Sequence, residues 1–299
     1  MNARARARQG FTLIELMISM IIAAIVGAAL IRMSLAQARF MDQQEAWRSA
    51  RSVARGGINR LISDLRAVEA ANGVAAAVAG GQDFTIRVPY AFGVMCQTAA
   101  LGAGPTTLSL LPVDSAVYAA PGYSGFAYRD AAGNYTYVAN TTAIANGAPG
   151  TCVAAVPLPI NFADGGSLPA INGSPAGKVV SIAGPVPAAT PVGSIFFLYR
   201  TIHYQFKNSV AVPGRTGLFR TAVNGGPEEE IATPFNNTAR VNFYVLNAGV
   251  AQAAVPALLG NIRGLELVLN GESERTPGGS SAPKMANVTT SVFFENRPD

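Results

Sequence analysis

Glu15 is the only ionisable side chain in the apolar run 11–31. A carboxylate at the middle of a bilayer costs on the order of 2.5–3.5 kcal/mol on insertion scales, and a buried charge is tolerated only when it is paired. Glu15 therefore calls for a partner. Other groups able to do chemistry are sparse. The chain has one histidine, His203, and two cysteines, Cys96 and Cys152. The cysteines lack the spacing of a metal site, and His203 falls in a strand-like pattern, where a core or half-exposed imidazole is expected. Gly122-Tyr123-Ser124-Gly125-Phe126 misses the nucleophile-elbow motif by one position, because Phe126 stands where the last glycine is needed. Residues 173–178 resemble a phosphate loop but are one residue too short and lack the following Ser or Thr. The expectation is a protein with no catalytic residues, no metal and no cofactor.

The elements that position Glu15 are legible from periodicity. Residues 11–31 span about 31 Å as a helix, which matches the hydrocarbon core of a bilayer. Arg4, Arg6 and Arg8 precede the run and no acid does, so the N-terminus is expected to stay cytoplasmic and the rest to be exported. Residues 32–71 contain no proline. Trp47, Ala50, Ala54, Ile58, Leu61, Leu65 and Val68 recur there at steps of three and four, one face of an amphipathic helix. Arg48, Arg51 and Arg55 lie largely off that stripe and read as a solvated face, Arg60 is placed to pair with Asp64, and Asn72-Gly73 reads as a helix stop. Beyond it, strands are expected over 84–88, 106–110, 135–138, 178–182, 194–206, 217–221, 240–246, 262–269 and 288–294, bounded by Gly, Pro and Asn clusters. Gly and Pro number 31 and 19 among 299 residues, which suits a β-protein with long loops. The predicted class is α+β, a long helix on one face of an antiparallel sheet. Net charge is +5, but the three leader arginines supply most of it. The small remainder argues against nucleic-acid binding.

The stretch Gly10-Phe11-Thr12-Leu13-Ile14-Glu15-Leu16-Met17 resembles the prepilin motif of type IV pilins and type II secretion pseudopilins. The resemblance implies cleavage after Gly10 by a prepilin peptidase, methylation of the new N-terminus at Phe11, and pairing of Glu15 with a neighbouring subunit's amino terminus during assembly. Glycine before the cut has a physical reason: without a side chain the backbone can be approached closely. Many family members carry a helix-kinking proline near the end of the apolar run. This chain has Arg32 and Met33 there, so a straighter anchor is expected.

Toward the C-terminus, residues 194–206, 214–223, 240–246 and 288–299 resemble larger minor pilins of the PilW kind, and a similar layout occurs in the J-type minor pseudopilin. The tail is Glu295-Asn296-Arg297, where that group tends to end in Arg-Asn-Arg. The implied organisation is a basic leader (1–10), a transmembrane helix (11–31), its periplasmic continuation (32–71) and a β-rich periplasmic head (72–299). The implied partners are the peptidase, other major and minor pilins or pseudopilins, and an inner-membrane assembly platform. The rival class is a membrane-tethered periplasmic enzyme or binding domain.

Two features of an exported head stay open at this level. Cys96 and Cys152 would pair in an oxidising compartment, closing a loop of about 56 residues worth roughly 4 kcal/mol in the chain-entropy model. The alternative is two separate buried thiols, and one linked peptide pair in a non-reducing peptide map, with no free thiol, separates the two. Glu228, Glu229 and Glu230 follow Gly-Gly-Pro. Since some pseudopilins hold calcium in loops, a hard cation is one reading, and a solvated charge run in a turn is the other.

Overall fold

The computed structural model describes residues 12–97, 106–110, 123–129, 135–139, 145–146, 178–182, 194–222 and 226–294. It opens with one uninterrupted helix, α1 (Leu13–Leu65), about 80 Å long at 1.5 Å per residue. No proline falls within it, and it runs unbroken through Arg32 and Met33. Its end comes six residues before the expected stop at 71. After Leu65 the backbone tightens into short turns, with the Ala67 amide on the Asp64 carbonyl (3.2 Å) and the Val68 amide on the Leu65 carbonyl (3.1 Å). Ala71 and Asn72 then adopt left-handed φ values of 59° and 68° and reverse the chain. Val68 is still buried, so the apolar periodicity outlasts the helix that it seemed to define.

Thirteen strands follow among the described residues, every pairing antiparallel. They are β1 (Val74–Ala77), β2 (Asp83–Gln97), β3 (Thr106–Leu110), β4 (Gly125–Arg129), β5 (Tyr135–Ala139), β6 (Ala145–Asn146), β7 (Lys178–Ile182), β8 (Ile195–Asn208), β9 (Thr216–Ala222), β10 (Glu228–Phe235), β11 (Arg240–Val245), β12 (Ile262–Glu272) and β13 (Met285–Phe293). The long pair β2–β8, in register from Asp83↔Gln205 to Val94↔Ile195, is the spine. On the far side of β8, β4 pairs with its first half and β9 with its second. β10 follows β9 and meets β12 at Phe235↔Gly271, and β12 is paired with both β11 and β13.

The expected strands all form, with β3 and β7 at the expected bounds and β2 reaching much further than 84–88. Four strands were not anticipated: β1, β4, β6 and β10. β10 begins on the three glutamates taken for a turn. Pairing with β9 sets Glu228 opposite Thr221 and Glu229 opposite Arg220, so the charge run lies along a ladder. β4 contains the Gly125-Phe126 end of the near-elbow sequence. Pairing with both β5 and β8 buries Phe126, Ala127 and Tyr128.

One apolar core joins helix and sheet. Ala54, Ile58, Leu61 and Leu65 of α1 pack with Phe84 and Ile86 of β2, Ile202 and Tyr204 of β8, Phe235 of β10, Phe243 of β11, and Leu265, Leu267 and Leu269 of β12. The period-two alternation along β12 puts its three leucines on the helix side. Trp47, the expected start of the buried stripe, lies outside the core. It is 45% exposed and carries the Arg51 guanidinium over its ring at 5.5 Å. Asp64 also departs from expectation. It turns inward, accepting a hydrogen bond from the Tyr204 hydroxyl and pairing with Arg220 Nε at 3.0 Å, rather than with Arg60. Burial, and then the Asp64 carboxylate beside it, hold the Tyr204 phenol well above its usual pKa range. The polar link thus ties the last turns of α1 to β8 and β9.

The helix approaches the sheet closely because a glycine stands at two points of the contact, Gly57 on α1 and Gly271 on β12. A Cβ on Gly57 would stand 2.9 Å from the Phe235 ring. A Cβ on Gly271 would collide with the Ala50 carbonyl oxygen and lie 3.0 Å from the Ala54 amide nitrogen. Gly271→Ala is therefore expected to destabilise the head by about 1–3 kcal/mol, the usual cost of overpacking. Thermal unfolding of the purified protein would show it, and an unchanged midpoint would mean that helix and sheet separate easily here.

Candidate functional site: an exposed apolar helix and its cap

The first half of α1 has no covering partner within the described residues. From Leu13 to Ile31 every side chain is exposed, with Gly27 alone in the intermediate range. Leu13 is 82% and Met20 71% exposed. Apolar patches of this size on a soluble monomer are rare, and this segment is long and apolar enough to cross a membrane. Exposed apolar side chains continue past it at Met33, Leu35, Phe40 and Met41.

Glu15 sits at the very start of this helix. Thr12 is the N-cap, extended at φ −80° and ψ 150°. The Glu15 amide donates to Thr12 Oγ1 (3.3 Å), while the Thr12 amide and hydroxyl donate to Glu15 Oε2 (3.1 and 3.0 Å). This reciprocal pair is a capping box, which satisfies amides that the first turn leaves without intrahelical partners. A carboxylate there also faces the positive end of the helix dipole. Glu15 accordingly has a local role that the sequence reading passed over. The signal was present as Thr-x-x-Glu ahead of an apolar run.

The other candidate residues do not converge. Gly10, Phe11, Cys152 and Glu295–Arg297 lie outside the described residues, and for Cys96 only the backbone, in β2, is described. His203 is half-buried on β8 with Nε2 2.8 Å from Asp83 Oδ1, and Gln205 donates to the other oxygen of Asp83 at 3.0 Å. Ser124 uses its hydroxyl oxygen to accept the Thr201 amide at 2.7 Å, a strand-edge contact far from His203 in role. Among the described residues no cluster of three or more His, Cys, Asp or Glu side chains is arranged to hold a metal.

Two of the three glutamates are occupied within the fold. Glu228 pairs with Lys207 at 2.6 Å. Glu230 accepts the Ser209 hydroxyl and the Val210 and Ala211 amides (both 3.0 Å), closing the turn between β8 and β9. Partial burial pushes the Glu230 carboxyl up, but the bonds from Ser209, Ala211, Val210 and Thr233 outweigh it and hold the carboxyl below its ordinary value. A folded pKa below the unfolded one contributes stability above the unfolded value, and this is lost as pH falls through the folded value. Glu230→Gln should lower the melting temperature at pH 7 by a few degrees and converge on wild type near pH 3. A constant gap across that range would show that charge is not what the turn uses.

Fold and site together define a class: a membrane-anchored protein in which one continuous helix serves as anchor, stalk and core element of a β-rich head. Within that class, residues 5–31 match the family model of the prokaryotic N-terminal methylation motif. The match supports the type IV pilin and pseudopilin family for this chain and covers the motif and anchor alone. No curated protein and no solved structure matches the chain.

Proposed function

We propose that this protein is the precursor of a minor pilin-like subunit of an envelope-spanning filament. A prepilin peptidase cuts after Gly10, the amine of Phe11 is methylated, and the subunit waits in the inner membrane with its N-terminus cytoplasmic and its head periplasmic. It is then drawn out by an assembly platform, and the apolar face of α1 exchanges lipid for the helices of other pilins or pseudopilins. The broad head contacts further minor subunits at or near the filament tip, in a type IV pilus or in a type II secretion pseudopilus. The role is structural rather than catalytic.

One observation carries this reading: the helix that begins at Leu13, inside the matched motif, exposes its apolar first half and carries a single carboxylate there, Glu15. A helix cap does not need a charge, so the reading gives the Glu15 carboxylate a second use beyond its capping box, the amino terminus of a neighbouring subunit. Intact-mass and N-terminal peptide analysis of membrane fractions, with and without the cognate peptidase, tests it. The expected mature chain begins at methylated Phe11 only when the peptidase is present. A chain that still begins at Met1, or is cut after the apolar run, would sink the reading.

A further inference from the structure

β13 lies at an edge of the sheet, paired with β12 in unbroken register from Met285 to Phe293. The bonds at its two ends settle which backbone groups face outward. The Phe294 amide donates to the Arg263 carbonyl, and the Ser273 amide donates to the Lys284 carbonyl. Bonded residues alternate along an antiparallel ladder, so the even-numbered residues of 284–294 bond to β12. The amides and carbonyls of Met285, Asn287, Thr289, Ser291 and Phe293 therefore point away from the sheet. Among the described residues no second strand takes them. An open edge is ordinarily blunted by a charge, a proline or a bulge. Met285–Phe293 has none of the three.

The helix supplies a second, independent feature. Gly57 meets Phe235 of β10, and Asp64 meets Tyr204 of β8 and Arg220 of β9. Both lie roughly 50–70° to one side of the buried stripe Ala50, Ala54, Leu61 and Leu65, at about 100° per residue. Arg51 and Arg55 lie roughly 70–110° to the other side. That is the side of β13, because β10 and β13 flank β12 on opposite edges. The level is set as well: Ala50 and Ala54 meet Gly271, which stands opposite Ala286 at the start of β13. Both arginines are exposed, and no acid among the described residues pairs with either. Strands lie about 4.8 Å apart, so a strand added outside β13 would run roughly 10 Å from β12, beneath arginines that reach sideways from a helix seated on β12.

We propose that the β13 edge receives an extended, acidic segment of a partner protein, which adds a strand to the head and sets its carboxylates beneath Arg51 and Arg55. Backbone bonds to the outward-facing residues of β13 hold the segment, and the two arginines select its charge. A second copy of β13 does not fit. Its helix-facing residues are Ala286, Val288, Thr290 and Val292, with no acid among them. Pairing two such edges would also bring both pairs of arginines over one seam. The edge and the arginines belong to the head whether or not the leader is cut, so the proposal stands apart from the pilin reading.

The test uses the full-length chain in detergent and a fluorescent nine-residue peptide. The peptide has threonine at the odd positions, valine at the second and fourth, and glutamate at the sixth and eighth. Lying antiparallel to β13, it sets its glutamates opposite Val288 and Ala286. Fluorescence anisotropy should show saturable binding at sub-millimolar peptide. Lysine in place of both glutamates should weaken binding on the order of tenfold, the scale of two exposed pairs turned repulsive. Arg51→Glu combined with Arg55→Glu should reverse that preference. N-methylation of the odd peptide residues should abolish binding and that of the even residues should not, because only the odd amides meet β13. Thr289→Pro removes an outward amide and leaves the β12 ladder whole. It should weaken binding by at least about tenfold without lowering the melting temperature, and the methylated peptides test the same edge on the unaltered chain. The amides of Asn287, Thr289 and Ser291 should exchange quickly in the free chain and slowly with peptide bound. No saturable binding, equal binding of the glutamate and lysine peptides, or slow exchange of these amides in the free chain would each overturn the proposal. None of these outcomes bears on the pilin reading, which the N-terminal mass decides.

Discussion

A Glu15→Leu chain should insert, be cut after Gly10 and fold its head, and then fail to enter a filament. Residue 15 is remote from the head, whose core takes its helical contribution from Ala50 to Leu65, so stability of the head should not change. Leucine is also more comfortable in lipid than glutamate. The loss is expected at assembly, where a charged pair buried between subunits loses roughly 3–5 kcal/mol when one partner is removed, about two to four decades in an association constant. The capping box adds a control. Glu15→Gln keeps a side chain able to bond back to the Thr12 amide but has no charge to offer an ammonium. If pairing is the role, Gln and Leu should fail alike. If the cap is what assembly needs, Gln should behave as wild type and Thr12→Ala should fail with Leu. Co-purification with other pilins, alongside a processing assay, reads both. Leu protein recovered in filaments at wild-type level would end the pairing account.

The second large effect is expected at Gly10. In the proposed reading it is the last residue of the leader, and a Cβ there obstructs close approach to the backbone on either side of the cut. Gly10→Val adds a branched side chain and should slow cleavage on the order of a hundredfold, the scale of a misplaced scissile bond. The variant should accumulate in the membrane as a precursor that retains Arg4, Arg6 and Arg8, with no methylated Phe11 and no assembly. Its head should melt as wild type does. Normal processing of this variant would mean that cleavage falls elsewhere or is absent.

How much of this could be read from the chain alone varies with the range of the interaction. The anchor and the motif are local: a run of apolar residues, a basic leader and a fixed spacing from Gly10 to Glu15 specify insertion whatever lies downstream. The buried stripe Ala50–Leu65 and the alternation of β12 were legible for a similar reason, since each repeats at the period of its own element. Tertiary structure decided the rest. β10 exists because β9 lies beside a charge run that would otherwise read as a turn, and β4 because β5 and β8 cover both its edges. Asp64 points to Arg220, 156 residues away, although Arg60 is one turn off, because Tyr204 and Arg220 present donors at the helix–sheet junction. Trp47 sits on the periodic face yet stays exposed, although the β12–β13 connection reaches further down the helix, to Asp42 and Arg39. Periodicity specifies which face of a helix is apolar. Only the folded sheet specifies how far along that face the cover extends, because burial depends on contacts between residues that are distant in sequence.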